Sequence, residues 1–353
     1  MKIPTKTKLA LIFLAIACFI GVVTSVVVNS LVTNQIIFEA QERIKEHLST
    51  ARWVYESKIR DIDRTIRWTS IRHVLKKALK EKNVLPIQDE LLELMAEEGL
   101  DFLTLVGRKG DVVFRFHNPG VLGDSLIQDP FIKEALQKKA VSGTQVLSGD
   151  VLWKEGKKLY ERASITPVPT PKEKLTKKME ETLGMVLKSA YPVIDFNGQV
   201  LGVLTGGTLL NRNYEIVDRI KNIVFKDVKY KGKEIGTATI FLDDLRISTN
   251  VMDKTGHRAI GTRVSAEVYE QVLGKGLPWV QRAFVVNDWY ITAYEPIRDI
   301  EDHIVGILYV GILESKYALM KERLILLFFL FSMSGMLVAL AISFFLSWRV
   351  LKK

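Results

Sequence analysis

The stretch PIRDIEDHIVGILYVG, Pro296 to Gly311, repeats the outline of an earlier stretch, PVIDFNGQVLGVLTGG, Pro192 to Gly207. The two align without a gap at an offset of 104 positions, the difference between 296 and 192. Three apolar positions after each turn also match in type. A shared pattern at one constant offset predicts one structural unit used twice. The matched polar and glycine positions are Pro192 with Pro296, Asp195 with Asp299, Gly202 with Gly306 and Gly207 with Gly311.

Two runs near the ends of the chain, Leu9–Val32 and Leu324–Trp348, contain no charged residue. A helix needs about 20 apolar residues to cross a bilayer, and a buried core helix rarely stays uncharged for so long. Both runs therefore predict membrane-spanning helices. A cleaved lipoprotein signal ending at AIAC, Ala15–Cys18, is the less favoured interpretation, because apolar sequence continues well beyond Cys18.

The charges that flank these runs predict their orientation. Positive flanks prefer the cytoplasm, so we expect both termini inside and residues 33–323 outside. Six of the 50 lysines and arginines flank the two runs, which leaves 44 against 40 acidic residues in the rest of the chain. Most of the net charge of +10 therefore reflects the orientation in the membrane. No dense basic stripe predicts nucleic-acid binding. The six flanking residues are Lys2, Lys6, Lys8, Arg349, Lys352 and Lys353.

Residues 33 to about 84 predict one long helix. Its apolar positions follow an 11-residue repeat, which keeps them on one face of a nearly straight rod. This rod either packs on its own domain, or forms a stalk that also pairs with a second copy in a homodimer. Gly335 and Ala339, a small-xxx-small pair in the second apolar run, also favour a dimer. The stripe is Ile37, Ala40, Ile44, Leu48, Ala51, Tyr55, Ile59, Ile62 and Ile66.

From Asp101 the sequence changes to alternating strands, glycine turns and short helices, which is typical of an α+β fold. We expect each unit to contain a strand pair, a helix and three further strands, with a surface insertion at Pro167–Glu181. In the first unit the predicted strands are Phe102–Val106, Asp111–His117, Lys158–Ile165, Gly184–Val193 and Gln199–Gly207, and the helices are Asp129–Ala140 and Arg212–Phe225. In the second they are Ala238–Leu242, Leu245–Thr249, Arg282–Val286, Trp289–Tyr294 and His303–Glu314, with a helix at Ser265–Gly276.

This organisation resembles the double Cache family of PAS-like extracytoplasmic sensor regions, and in particular its branch that joins a type 3 and a type 2 unit. The marks in the first unit are RFHNPGVLGDS and GMVLKSAYPVIDFNGQVLGVLTGGTLLNRNYEIVD. In the second they are GHRAIGTRVSAEVYEQVL and RAFVVNDWYITAYEPIRDIEDHIVGILYVGILE. The resemblance covers about residues 33–320 and implies two antiparallel-sheet units behind a long helix, flanked by two transmembrane helices.

The resemblance also implies a function. Such regions are the input halves of bacterial two-component histidine kinases and chemotaxis receptors, held in the inner membrane by two passes. A HAMP-like linker and a cytoplasmic output domain or partner would follow the second span. We expect this division: 1–8 cytoplasmic tail, 9–32 first transmembrane helix, 33–84 stalk, 85–225 distal Cache unit, 226–314 proximal Cache unit, 315–323 linker helix, 324–348 second transmembrane helix and 349–353 cytoplasmic stub.

Candidate ligand-binding residues in the first unit are cations on neighbouring predicted strands. Alternation places Arg115 and His117 on one face, and Arg162 on a face with Tyr160, while Lys188 lies in mid-strand. Since arginine forks onto both carboxylate oxygens, such donors suit a small carboxylate ligand. Dicarboxylate-sensing members of the family carry an Arg and a His near this strand, at a different spacing. The alternative is solvated strand faces with surface salt bridges.

In the second unit the candidates are aromatic. Trp289, Tyr290 and Tyr294 follow a turn, and another hairpin of this unit carries Arg246, Ser248 and Asn250 on one face. Aromatic side chains with a few polar groups suit a small-molecule pocket. The alternative is that they are core.

No catalytic, metal or cofactor site is predicted. The five histidines are scattered and no nucleophile or phosphate-binding motif is present. The sequence therefore favours a small-molecule sensor over the two alternatives, a membrane-anchored extracytoplasmic enzyme and a structural or adhesive ectodomain.

Overall fold

The computed structural model describes residues 5–170, 172–174, 180–226, 228–230 and 232–350. The chain divides into two compact units. One is formed by the two ends of the chain, up to Arg43 and from Leu313 onward, and the other by Ile44–Ile312.

The end unit contains the two apolar helices. The helix α1 begins at Thr5, and the last helix, Ser315–Val350, follows the final strand after one residue. Both are long and apolar enough to cross a membrane. Large apolar side chains on them, such as Phe19 and Phe331, are exposed. The two predicted spans thus correspond to two helices of suitable length and composition.

The helix α1, Thr5–Ser70, is continuous but shorter at its C-terminal end than the predicted stalk. At its end Thr69 and Ser70 donate their hydroxyls to carbonyls of the preceding turn, at 2.8 Å each, and Arg72 is extended. Ser and Thr compete in this way with the helical pattern. The predicted stripe is buried from Ala40 to Ile66 apart from the half-buried Ile59, whereas Ile37 is exposed. Three short elements then lead to the first sheet: α2 His73–Glu81, a 3₁₀ turn Leu85–Ile87 and α3 Gln88–Glu98.

The first sheet has five antiparallel strands in the order β2-β1-β5-β4-β3. Helices lie between its strands in the chain, and a core of apolar side chains such as Phe102, Leu152 and Leu209 lies between them and the sheet. The elements are β1 Phe102–Gly107, β2 Val112–Arg115, α4 Pro130–Leu136, β3 Val141–Leu147, α5 Gly149–Glu155, α6 Lys157–Ala163, β4 Gly184–Ile194 and β5 Val200–Leu209.

The strand predicted at Lys158–Ile165 is wrong, since this stretch forms α6. Leu159 and Ala163, four residues apart, are its buried positions, which is helical spacing. The missing strand is β3, at the edge of the sheet, where Gly143 and a largely half-buried surface remove the alternating signal. The predicted β2 also ends two residues early, at Arg115.

The second sheet repeats the first. Its order, β10-β11-β12-β8-β9, read from the other end gives β9-β8-β12-β11-β10, which matches β2-β1-β5-β4-β3 strand for strand. Between the sheets lie α7 Glu215–Phe225 and a small hairpin, β6 Lys229–Tyr230 and β7 Lys233–Glu234. The other elements are β8 Gly236–Leu242, β9 Leu245–Thr249, α8 Ala266–Val268 continued by a π-helical turn Tyr269–Gly274, β10 Trp279–Val285, β11 Asp288–Arg298, β12 Ile304–Leu313 and α9 Ser315–Val350.

The repeated residues have the same task in both sheets. Asp195 Oδ1 accepts the backbone N–H groups of residues 197 and 199, and Asp299 Oδ1 accepts those of residues 301 and 303, all at 2.9 Å. Each aspartate closes the hairpin before the last strand of its sheet. Gly202 and Gly306 lie so close to a neighbouring strand that a Cβ would meet a backbone oxygen at 2.2 and 2.1 Å. The repeat thus encodes one turn and one close backbone approach.

The helix α7 precedes the predicted boundary at residue 226, which stays a prediction, and contacts elements of the second sheet. Phe225 of α7 packs over Gly236, and Asp218 forms a two-point ion pair with Arg258, at 2.8 Å for each bond. The helix therefore packs with the second sheet. The predicted insertion also reaches this sheet: Val168 N donates to Gly261 O, and Ala266 N to Lys172 O, both at 2.8 Å.

Candidate functional site

The predicted cations of the first unit are bound by carboxylates of the chain itself. Arg115 is 0% exposed. Its guanidinium donates to both oxygens of Asp124 at 2.6 and 3.0 Å, to Glu155 at 2.9 Å and to the carbonyl of Val121 at 2.9 Å. The hydrogen bond from Arg115 is the main reason why the pKa of Asp124 is lowered. The Arg115 guanidinium therefore uses its N–H donors to hold parts of the chain together.

Lys188 is also neutralised internally. Its Nζ donates to Asp129 Oδ2 at 2.6 Å and to Gln145 at 3.0 Å. The other oxygen of Asp129 caps α4 by accepting the N–H groups of residues 131 and 132. Burial favours the neutral form of this carboxyl, but the Lys188 charge and the hydrogen bonds outweigh it, so the pKa of Asp129 is lowered.

The remaining first-unit candidates lie apart from these two. Arg162, on α6, forms a two-point ion pair with Asp101 and also donates to Leu209 O at 2.9 Å. Tyr160 packs against the apolar core of the first sheet. His117 is exposed, and its Nδ1 lies 2.9 Å from Asp101 O. The structure therefore gives Arg115, Arg162 and Lys188 a carboxylate each and does not gather the set around one space.

Arg246 of β9 differs from all of these. It is 4% exposed, and among the residues that the structure describes no carboxylate lies within ion-pair distance of it. Its Nη1 lies 3.5 Å from the hydroxyls of Thr239 and Thr249, its Nε has no partner, and its guanidinium lies over the Phe241 ring at 5.0 Å. Burial lowers the pKa of Arg246, only partly offset by nearby tyrosines. A buried, unpaired cation is costly, which makes it a candidate for function.

A cavity of about 270 Å³ lies next to this guanidinium. Arg246 and Tyr294 line it together with the edge strand β10. Among its aromatic walls, Trp279 has a buried Nε1–H without a hydrogen-bond partner in the described part of the chain. The full aromatic set on this cavity is Trp279, Phe284, Trp289 and Tyr294.

Two of the three aromatic candidates predicted in the second unit line this cavity, namely Trp289 and Tyr294. Tyr290 is buried beside them in β11 without lining it, and burial raises its pKa to about 12. Tyr294 stacks at 4.7 Å on Tyr309, whose hydroxyl lies 3.0 Å from Thr237 Oγ1. Tyr294 is thus both core and cavity wall, whereas Tyr290 and Tyr309 are core.

The rim of the cavity comes from two places in the chain. Thr170 and Lys172 of the insertion lie at the cavity, and Thr170 Oγ1 accepts the N–H of Arg263 at 3.0 Å. Arg263 also lines the cavity, but it forms a buried ion pair with Asp244. Arg282 stacks at 4.0 Å on the Trp289 ring. Positive groups therefore outnumber the single lining carboxylate, Glu267.

Sequence reasoning missed Trp279 and the part taken by the insertion. Trp279 lies at the start of β10, opposite Tyr294 in the ladder, and only the register brings the two rings together. Thr170 and Lys172 of the insertion lie 76 and 74 positions before Arg246 in the chain, so no local pattern could reveal their place at the cavity.

One cluster has ligand atoms close enough to hold a metal ion. Oxygen and nitrogen atoms of Asp299, Glu301 and His303 lie within 4.8 Å of one another. The group lies in the exposed turn before β12, where Asp299 Oδ1 already accepts two backbone N–H groups. This turn is the repeat of the one at Asp195, which accounts for its geometry.

The second unit is an α+β module with a five-stranded antiparallel sheet and a cavity beside Arg246. Residues 208–323 match the family model described as single cache domain 3. The match begins just before α7, the helix that packs with the second sheet. The resemblance to Cache sensor regions is thereby confirmed, and the pairing of a type 3 with a type 2 unit stays a prediction.

Among solved structures, the chain is similar to the periplasmic domain of LuxQ from Vibrio cholerae, with 12% identity, a TM-score of 0.43, and coverage of 76% of this chain and 98% of that chain. The sensor domain of the histidine kinase DctB from V. cholerae has 13% identity, a TM-score of 0.41, and coverage of 79% and 98%. The sensory domain of the Campylobacter jejuni chemoreceptor Tlp3, with isoleucine bound, has 9% identity, a TM-score of 0.38, and coverage of 82% and 97%. Likenesses of this size assign no ligand to this chain. The sequence has no match among curated proteins.

Proposed function

We propose that this chain is the extracytoplasmic input region of a two-pass membrane receptor, and that the cavity of the second unit binds a small anionic molecule. One observation carries the proposal: Arg246 is buried at a ligand-sized cavity without a carboxylate partner in the described chain. The cations of the first unit that were candidates for a carboxylate clamp are each held by a carboxylate of the chain.

An anion would supply what Arg246 lacks. A carboxylate accepts two parallel N–H bonds from a guanidinium, and such charge-assisted bonds are among the strongest in proteins. The Arg246 guanidinium is already buried, so it has little water left to lose when a ligand binds. Its desolvation therefore takes little from the affinity for the ligand. A ligand that binds one conformation better than another shifts the balance between the two, which is the physical basis of sensing.

The membrane part of the proposal rests on the two apolar helices and their positive flanks. Both termini lie in the cytoplasm of a bacterial cell, and residues 33–323 lie outside the inner membrane. β12 ends at Leu313 and α9 begins at Ser315, so a movement of the last strand acts directly on the second span. A second copy of the chain and a cytoplasmic output domain or partner protein complete the receptor.

Thermal unfolding of the full chain in nanodiscs tests the ligand site. The panel contains small carboxylates, amino acids and polyamines, with Arg246→Met and the matched variant Arg115→Met, which also removes a buried guanidinium. We expect a carboxylate to raise the midpoint of the wild type and of Arg115→Met, and to leave that of Arg246→Met unchanged. A ligand shift that is lost in Arg115→Met and kept in Arg246→Met would overturn the assignment to the second unit.

Protease accessibility on intact spheroplasts tests the topology. We expect an added protease to cut the predicted insertion in spheroplasts that have not been lysed. A C-terminal tag on the chain allows the cleavage to be followed. Protection of this segment until the membrane is opened would contradict an extracytoplasmic domain.

A further inference from the structure

The cavity has a buried cation at one end. There, Nη1 of Arg246 lies 3.5 Å from the hydroxyls of Thr239 and Thr249, which lie 2.6 Å from each other. The four rings line the cavity with Val264 and Val285, and its other polar lining residues in the described chain are Thr170, Lys172, Arg263, Ser265, Glu267 and Arg282. A ligand that reaches Arg246 therefore meets a positive charge with aromatic surface beside it.

The number of unpaired cations near the buried end limits the charge of the ligand. Arg263 also lines the cavity, but Asp244 binds it in a pair that is buried on both sides. Lys172 and Arg282 lie at the rim, where their charges approach the Trp289 ring at 5.9 and 4.0 Å. Arg246 is therefore the one deeply buried cation of the described cavity wall that lacks a carboxylate.

The side chains on the cavity walls indicate which kind of group the anionic ligand carries besides its charge. Aromatic rings bury large areas and prefer offset or edge-on contacts with other rings. The Trp279 Nε1–H, buried without a partner in the described residues, is a second donor beside Arg246. Glu267, the one carboxylate on the cavity, is exposed, so an ammonium group of a ligand would find no buried acid there.

We propose that the ligand is a monocarboxylate that carries one aromatic ring or a similarly flat apolar group. Its carboxylate binds Arg246, and its ring packs against Trp279 and Tyr294, which lie opposite each other in the ladder. This inference rests on the proposed function of the cavity and deepens it, because it excludes dicarboxylates and free amino acids as preferred ligands. A volume of about 270 Å³ limits the ligand to a single ring with a short chain.

Isothermal titration of the full chain in detergent micelles tests the ligand class with four probes. Phenylacetate carries the ring and one charge, phenylacetamide the ring without charge, succinate two charges without a ring, and phenylalanine an added ammonium group. We expect phenylacetate to bind, and the other three to bind at least about tenfold more weakly, since one good contact corresponds to about one decade in Kd.

Three variants assign the contacts. Arg246→Met should weaken phenylacetate by about 100-fold, as expected for a lost charge-assisted pair. Trp279→Leu should weaken it by about tenfold and leave the preference for the charged probe intact. Trp53→Leu, which removes an exposed tryptophan of α1, is the matched control and should change nothing.

The outcomes separate the two proposals. If succinate or phenylalanine binds more tightly than phenylacetate, and Arg246→Met abolishes that binding, the ligand class is wrong and the proposed site stands. If none of the anions binds the wild type, or if Arg246→Met binds phenylacetate as the wild type does, both the ligand class and the site are wrong.

Discussion

Arg52 of α1 and Glu295 of β11 form a two-point ion pair across 243 positions of the chain, with Nε donating to Oε1 at 2.8 Å and Nη2 to Oε2. The Glu295 side chain is 7% exposed and that of Arg52 54%. Tyr294, the preceding residue, lines the cavity, and successive side chains of a strand point to opposite faces. β11 therefore carries a residue that lines the cavity and, next to it on the opposite face, a residue that binds α1. The helix α1 itself is continuous from Arg52 back to its apolar N-terminal part.

This pair should matter for stability in an asymmetric way. Arg52→Met leaves a buried carboxylate without its cation, which we expect to lower the free energy of unfolding by about 2 kcal/mol. Glu295→Gln leaves a half-exposed guanidinium that can turn to water, and about 1 kcal/mol is expected. Denaturant unfolding of both variants and of the double variant in detergent measures the coupling. Additive losses in the double variant would show that the pair does not join α1 to β11, and equal losses in the two single variants would contradict the asymmetry.

The two buried arginines predict stability changes of opposite sign. Arg115→Met should cost about 3 kcal/mol or more, because Asp124 and Glu155 lose their shared cation. Arg246→Met should leave the stability of the ligand-free protein unchanged or raise it by about 1 kcal/mol, because an apolar chain replaces an unpaired buried charge. The thermal midpoints of the two variants without ligand check this contrast. A strongly destabilised Arg246→Met would mean that this arginine is structural.

The repeat, the long helix and the turns could be predicted because each depends on a local pattern. Asp195 and Asp299 bind backbone groups within four residues, and the stripe of α1 depends on helical spacing alone. These features depend on contacts between residues that are close in sequence, and not on how distant parts of the chain pack. The sequence therefore predicts the repeat and the class of the fold.

The partners of the predicted cations could not be seen in the same way. Arg115 meets Glu155 at a distance of 40 positions and Lys188 meets Asp129 at 59, and these pairings depend on how helices close over the sheet. The α6 error has a local cause, because Leu159 and Ala163 fit a helix while Ala163 and Ile165 also fit alternation. Short apolar patterns of this kind are ambiguous between the two periods.

Lys188→Met should change the pH dependence of stability. In the wild type the pKa of Asp129 is lowered, so its contribution to stability is present above the ordinary aspartate pKa of about 3.9 and is lost as the pH falls through the folded-state value. Without Lys188, burial acts unopposed by this charge and raises that pKa, so stability is lost as the pH rises. We expect the variant to be much less stable than the wild type at pH 7, and the difference to shrink as the pH falls through the folded-state pKa of Asp129.

Denaturant unfolding at several pH values, followed by tryptophan fluorescence, measures this difference. Lys133→Met, which removes an exposed lysine of α4, is the control and should follow the wild type throughout. A constant difference between Lys188→Met and the wild type across this range would show that Asp129 does not depend on Lys188 for its charge.

The repeated glycines Gly202 and Gly306 should be equally intolerant of a side chain. A Cβ at Gly202 would meet Val106 O at 2.2 Å, and one at Gly306 would meet Phe241 O at 2.1 Å. Backbone oxygens of a central strand cannot move aside without breaking ladder hydrogen bonds, so each alanine should cost about 2 kcal/mol or more. Gly120→Ala is the matched control, because nothing lies within 4 Å of its Cβ position. Thermal midpoints of the three variants measure the effect, and a Gly306→Ala protein as stable as Gly120→Ala would show that the repeat is not a repeat of backbone packing.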